Sequence, residues 1–208
     1  DFGTSVQQTS DYGYVFCGAG SSGIWLVKTN ADGMEQWEKA YDGIRGDCVR
    51  QVADGGYILT GWIGFGVCLI RTDSGGRLLW RKVYFPSNLS FGNCVQQTSD
   101  GGFILTGSTD FYCNEPQYEK GFLLKADKDG NEQWNKTYIW HSANYSRLTS
   151  VQQTPDHGYI VAGGTAGLPW LIRTNENGTE LWNKTLTDLC EGASEVDQTN
   201  DGGFIIVA

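Results

Sequence analysis

RTDSGGRLLW, residues Arg71 to Trp80, decides how this chain is read, because it recurs without a gap. The other copies are KTNADGMEQW (Lys28 to Trp37), KADKDGNEQW (Lys125 to Trp134) and RTNENGTELW (Arg173 to Trp182). Each begins with a base followed by Thr or Ala and then Asp or Asn. Each places Gly four residues before a Trp. The turn interior varies, and its Asp changes to Asn, so the stretch reads as a structural turn rather than a metal or active-site loop. A repeated turn ending in the largest apolar side chain marks a repeat protein.

A second marker confirms the period. SVQQTSDYGYVFCGA (Ser5 to Ala19) returns as CVRQVADGGYILTGW (Cys48 to Trp62), CVQQTSDGGFILTGS (Cys94 to Ser108) and SVQQTPDHGYIVAGG (Ser150 to Gly164), and a last copy starts at Glu195. The opening Val stands at 6, 49, 95, 151 and 196, giving steps of 43, 46, 56 and 45. Length changes fall between the markers, in loops. The repeats run over about 5–47, 48–93, 94–149 and 150–194, with a partial one at 195–208.

Each unit reads as four strands. Strand a is Val-Gln-Gln-Thr. A turn of the form DYG, DGG or DHG follows, where Gly supplies the positive φ of a tight hairpin. Strands b (GYILTG) and c (VCLIRT) are apolar nearly throughout, as expected where both faces are covered. Strand d (EQWEKAY, LLWRKVY) mixes charges with rings and suits an edge. Four-stranded units of 40 to 50 residues predict an all-β fold, a β-propeller, in a single domain over 1–208 with four complete blades and half of a fifth. The half blade, with no leftover c and d strands at the N-terminus to complete it, suggests a larger ring or assembly, and the 208-residue piece is expected not to be a stable monomer.

Composition narrows the function classes. The net charge is −9 and no basic cluster occurs, which argues against nucleic acid and anionic membrane as partners. No apolar run reaches the roughly 20 residues of a membrane span. With 8 Trp, 10 Tyr, 9 Phe and 29 Gly, large rings fill the space between short strands and tight turns.

GGYILTG…VCLIRTDSGGRLLW resembles the repeat of quinoprotein-type (PQQ-like) propellers, with their tryptophan-docking motif. It is similar also to a group of secreted archaeal and bacterial proteins built from repeats of the type VQQTSDGGYI…WLIKTDxxGNEQWNKTY. The resemblance covers nearly the whole chain. It implies a propeller in which Trp37, Trp80, Trp134 and Trp182 lie across the neighbouring blade, and an extracellular or cell-surface location.

Several residue sets are candidates for chemistry. Asp127, Asp129 and Asn131 have a spacing that can collect oxygen ligands for calcium, although position six of this loop is Glu132 rather than the Gly of an EF-hand. A self-capped hairpin is the simpler reading. The second Gln of strand a recurs as Gln8, Gln51, Gln97, Gln153 and Gln198, so these amides are expected to line a central channel and chiefly to satisfy backbone groups. Loop aromatics are candidate binding residues: Trp62 and Phe65 in one b–c loop, Phe111 and Tyr112 in another, Trp140 and Tyr145 in a d–a connection. His141 and His157 belong to no motif. Six Cys are scattered, reading as buried thiols with at most one disulfide. Sequons start at Asn88, Asn135, Asn144, Asn177 and Asn183 and fit a secreted glycoprotein.

No nucleophile, phosphate-loop or quinone-pocket pattern is present. The sequence therefore predicts a non-catalytic extracellular scaffold for protein–protein interaction or for surface or filament assembly, with no cofactor. A carbohydrate-binding, lectin-like module using the loop aromatics is the alternative. A propeller hydrolase or oxidoreductase comes third.

Overall fold

The computed structural model describes residues 1–85, 89–110, 119–140, 145–187 and 192–208. Every regular element among them is a strand. The first blade comprises β1 (Phe2–Gln8), β2 (Tyr14–Gly20), β3 (Gly23–Thr29) and β4 (Glu35–Tyr41), and the second β5 (Arg45–Gln51), β6 (Tyr57–Ile63), β7 (Gly66–Thr72) and β8 (Leu78–Tyr84). The third holds β9 (Leu89–Gln97), β10 (Phe103–Asp110), β11 (Glu119–Ala126) and β12 (Glu132–Tyr138). The fourth holds β13 (Ser146–Gln153), β14 (Tyr159–Thr165), β15 (Leu168–Thr174) and β16 (Glu180–Thr185). A final hairpin pairs β17 (Glu195–Gln198) with β18 (Phe204–Val207). Strand order follows chain order in every sheet. The expected meander of four strands per repeat, followed by half a repeat, is what the chain forms. It is a β-propeller repeat fold.

The burial pattern explains the order. β7 and β14 are buried along their whole length and β6 along most of it, which is why strands b and c carry apolar residues on both faces. β4, β8 and β12 are mostly exposed, with a half-buried Trp and a buried Tyr at the end, and stand at the sheet edge. Each strand d carries a bulge. Lys28 faces Trp37 but Thr29 faces Glu35, so Gln36 is left over; Leu79, Gln133 and Leu181 are the matching extras.

The chain divides into two compact units, Asp1–Gln97 and Thr98–Ala208. In the first, β5 packs on β1, β2 and β3, and β9 packs on β5, β6 and β7. Its core joins Val15, Ile24, Leu26, Val49, Leu59 and Ile70 with Cys17, Cys68, Tyr41 and Tyr57. In the second, β13 packs on β10 and β11, and β17 packs on β13 and β14. Ile160, Ala162, Leu171, Ala193 and Val196 form a core there, with Trp182, Phe204 and Ile206 at its margin.

One turn works differently from the sequence expectation. In the D-x-G turn the positive φ falls on the middle residue: Tyr12 (64°), Gly55 (84°), Gly101 (80°), His157 (64°) and Gly202 (84°). The Gly that follows is needed for room. A Cβ on Gly13 would lie 2.2 Å from the Thr29 carbonyl oxygen and 2.5 Å from Lys28 Nζ, and Gly56, Gly102 and Gly158 are confined alike.

Candidate functional site

The crowded head groups beside those glycines are the first feature that sequence reasoning missed. Lys28, Arg71, Lys125 and Arg173 are buried, and each reaches the Asp of its own blade's D-x-G turn. Lys28 Nζ donates to Asp11 Oδ2 (2.8 Å), the Thr29 carbonyl (2.7 Å) and Gln36 Oε1 (3.1 Å). Lys125 repeats this with Asp100, the Ala126 carbonyl and Gln133. The arginines replace the amide by a second backbone acceptor. Arg71 Nη2 meets Asp54 Oδ1 at 2.6 Å while Nη1 donates to the Tyr57 and Thr72 carbonyls, and Arg173 does the same with Asp156, Tyr159 and Thr174. The bulge residue follows the base: Gln36 and Gln133 accompany Lys, whereas Leu79 and Leu181 accompany Arg. The forked guanidinium reaches a second backbone carbonyl by itself, whereas the ammonium takes its third acceptor from the bulge amide.

The pairing holds the carboxylates ionised. The Lys28 hydrogen bond, with that of Thr9, lowers Asp11 to about 2. At Asp100 partial burial pushes upward, but hydrogen bonds from Thr98, Lys125 and the Gly102 N–H outweigh it and bring the group to about 2. Asp54 and Asp156 are lowered too, chiefly by the Gly56 N–H and the Thr154 hydroxyl respectively.

The glutamines stitch one blade to the next within each unit. Gln51 Oε1 accepts from the Ser10 N–H (2.8 Å) of the preceding blade while its Nε2 donates to the Gly55 carbonyl (3.2 Å). Gln97 accepts from Ala53 N–H (2.9 Å), and Gln153 accepts from Ser99 N–H (2.8 Å). Gln8 Nε2 bonds its own turn at the Tyr12 carbonyl. The first Gln works in the opposite direction, with Gln7 and Gln152 accepting from the N–H groups of Gln51 and Gln198. Gln8, Gln51, Gln97 and Gln153 thus bond backbone groups of the tight turns.

The tryptophans add the apolar half of the joint. Trp37 meets Tyr57 of the next blade edge-on (5.8 Å) and lies over Gly76, and Trp134 repeats this with Tyr159 (5.9 Å) and Gly178. Trp182 packs against Phe204 at 6.2 Å. Tyr41 and Tyr138 clamp the same turns through hydrogen bonds to the Gly76 and Gly178 carbonyls. Trp80 lies half-buried on β8.

Other candidate residues are placed as follows. Asp127 Oδ1 accepts from the N–H groups of Asp129 and Asn131, and its Oδ2 accepts from the Asn131 amide, so this loop caps itself. Among the described residues no group of three or more His, Cys, Asp or Glu is arranged to hold a metal ion. Trp62 lies on β6 rather than in a loop. It packs on Phe91 (5.1 Å), and its indole N–H is buried without a hydrogen-bond partner. Phe65 projects from the turn, Trp140 packs on Trp170 (6.1 Å), and Tyr145 is exposed. Phe111, Tyr112, His141, Cys113, Cys190, Asn88 and Asn144 lie outside the described residues. Cys17, Cys48, Cys68 and Cys94 are buried and outside any disulfide. Asn135 and Asn177 are exposed. Asn183 on β16 is half-buried, with its amide nitrogen donating to Glu180 and its oxygen accepting from Trp170 Nε1.

The joint of the second unit departs from that of the first in its lining. A cleft of about 380 Å³ in the second unit is lined by Ser99, Asp100, Lys125, Gln133, Trp134, Gln153, His157, Tyr159, Glu176 and Asn177. The matching sequence positions in the first unit are Ser10, Asp11, Lys28, Gln36, Trp37, Gln51, Gly55, Tyr57, Ser74 and Gly75. Only His157, Glu176 and Asn177 differ, each replacing a Gly or Ser. His157 holds the left-handed backbone that Gly55 adopts without strain, and its Nδ1 hydrogen-bonds Ser99 Oγ at 3.2 Å.

No family model matches the chain, and no curated protein sequence does. Solved structures do. The Dos1 propeller is similar with a TM-score of 0.65 at 12% identity over 96% of this chain and 51% of that one, so the chain spans about half its length. The WD40 β-propeller domain of Doa1 is similar at 0.52, with 13% identity over 99% of this chain and 75% of that one. A protein from Lactobacillus plantarum is similar at 0.64, with 11% identity over 99% and 70%. Identities this low carry the fold alone. No helix among the described residues is long and apolar enough to cross a membrane.

Proposed function

We propose that the chain is a non-catalytic scaffold of the tryptophan-docking, PQQ-like type, displayed outside the cell and joined to a protein partner through its first blade. The observation that carries this reading is the uncovered face of β1 and β2. Val6 is 64% exposed, whereas Val49, Val95, Val151 and Val196 at the same repeat position are at most 5% exposed. Tyr14 is 38% exposed, whereas Tyr57 and Tyr159, each beneath the Trp of the preceding blade, are 1% exposed. Phe16, opposite Val6 in the β1–β2 register, lies half-buried on the same face. Exposed rings and aliphatic residues in one patch support a role in association.

The partner this face fits is a repeat of its own kind, because in each later blade the preceding repeat covers the same positions; for the 208-residue chain a second copy can supply that repeat. The location follows from the resemblance and from the exposed sequons at Asn135 and Asn177.

Sedimentation velocity over a wide concentration range tests the association. Self-association that is lost in Val6→Glu and Tyr14→Glu, with the β-sheet circular dichroism signal retained, is expected. A monomer at every concentration would refute it.

A further inference from the structure

We propose that the cleft of the second unit is a binding site for a neutral polyhydroxylated ligand, a hexopyranose residue. The scaffold reading does not depend on this, nor this on it. The volume of about 380 Å³ lies in the range of small-molecule sites, roughly 300–1,000 Å³.

The internal repeat supplies a control that isolates the relevant residues. Ion pair, Gln stitch and docked Trp are present in the sister joint of the first unit, so they account for folding there and in the second. What the second joint adds is His157, Glu176 and Asn177, carried on two different turns and brought to one rim. His157 stands in a left-handed conformation that strains a side-chain-bearing residue, where Gly serves in three of the five copies. Strain held at a symmetry-breaking rim points to use.

The chemistry selects the ligand. An anion is disfavoured by the Glu176 carboxylate and by the net charge of −9. A cation finds Asp100 already engaged with Lys125, whose ammonium lines the same cleft. What remains is a balance of donors and acceptors. Glu176 accepts, the Asn177 amide does both, and the His157 imidazole does either. Burial pushes the Tyr159 hydroxyl up to about 12, so it stays protonated at neutral pH. Trp134 adds apolar ring surface. Vicinal hydroxyls on an apolar ring meet that set.

The test uses the 208-residue chain made without glycosylation and a panel of methyl hexopyranosides of gluco, galacto and manno configuration. The readout is the indole N–H signal of Trp134 and the ring signals of His157 by NMR. At least one glycoside is expected to shift both, with affinity falling about tenfold or more in Glu176→Ser and in His157→Gly. His157→Gly is expected to melt no lower than wild type, because it relieves strain and restores the residue of the sister joint; lost binding is then not lost folding. Shifts that persist in the combined His157→Gly, Glu176→Ser, Asn177→Gly variant would overturn the assignment. So would shifts confined to Trp62 or Trp140, or no shift with any glycoside.

Discussion

Exchanging a base without its bulge residue should destabilise the chain, and exchanging both should restore it. Lys125 donates to Asp100, to the Ala126 carbonyl and to Gln133, whereas Arg173 donates to Asp156 and two carbonyls with exposed Leu181 at the bulge. Gln133→Leu removes one acceptor from a buried ammonium. Hydrogen bonds to charged groups contribute about 1.5–3 kcal/mol, and because Gln133 is exposed, water replaces part of this, leaving a loss of about 1 kcal/mol. Lys125→Arg forces a larger head group in beside the Gln133 amide, and overpacking of this kind costs about 1–2 kcal/mol. In the double variant the guanidinium has the surroundings of Arg173, so the total loss should fall below about 1 kcal/mol, a coupling of about 1–2 kcal/mol. Urea unfolding followed by tryptophan fluorescence measures each corner, compared at unchanged slope. Losses that add to within about 0.3 kcal/mol would refute the reasoning.

Two further outcomes follow from the same joints. Gly178→Ala and Gly33→Ala meet similar backbone strain (φ 70° and 78°), but only the former adds a Cβ 2.6 Å from the Trp134 ring, with open space at Gly33. Gly178→Ala should therefore cost at least about 1 kcal/mol more in chemical denaturation, as an overpacked contact does. Acid should weaken the ion pairs in a defined window. Asp11 and Asp100 titrate near about 2 when folded against about 3.9 when free, so their contribution is present above pH ~4 and lost as pH falls through about 2. Melting temperature against pH should fall across that window, and less steeply in Asp11→Asn/Asp100→Asn.

Much of the fold was legible because the period carried it. Gly and Trp at fixed offsets, an apolar b and c, and a charged d each follow from where a strand stands in its sheet. The ion pairs were not legible. Asp11 and Lys28 are 17 residues apart, but Asp100 and Lys125 are 25 apart because the b–c connection of that blade is longer; only the pairing of β10 with β11 brings the two together. Trp62 was misplaced because its apolar run continues the strand beyond the repeat core. The cleft was invisible for a different reason. His157 lies on one turn and Glu176 and Asn177 on another, and nothing local says that the two turns share a rim. The clue was the comparison of copies, applied position by position to residues the fold brings together.

Amide hydrogen exchange at Ser10, Ala53 and Ser99 tests most directly the claim that the recurrent residues are engaged in joining blade to blade. All three amides lie on exposed turns, and each donates to the side chain of a Gln on the next strand a. They should exchange well below the intrinsic rate, with Ser10 released in Gln51→Ala and Ser99 released in Gln153→Ala while strand amides stay protected. Exchange of these amides at the intrinsic rate in the unaltered protein would contradict the account.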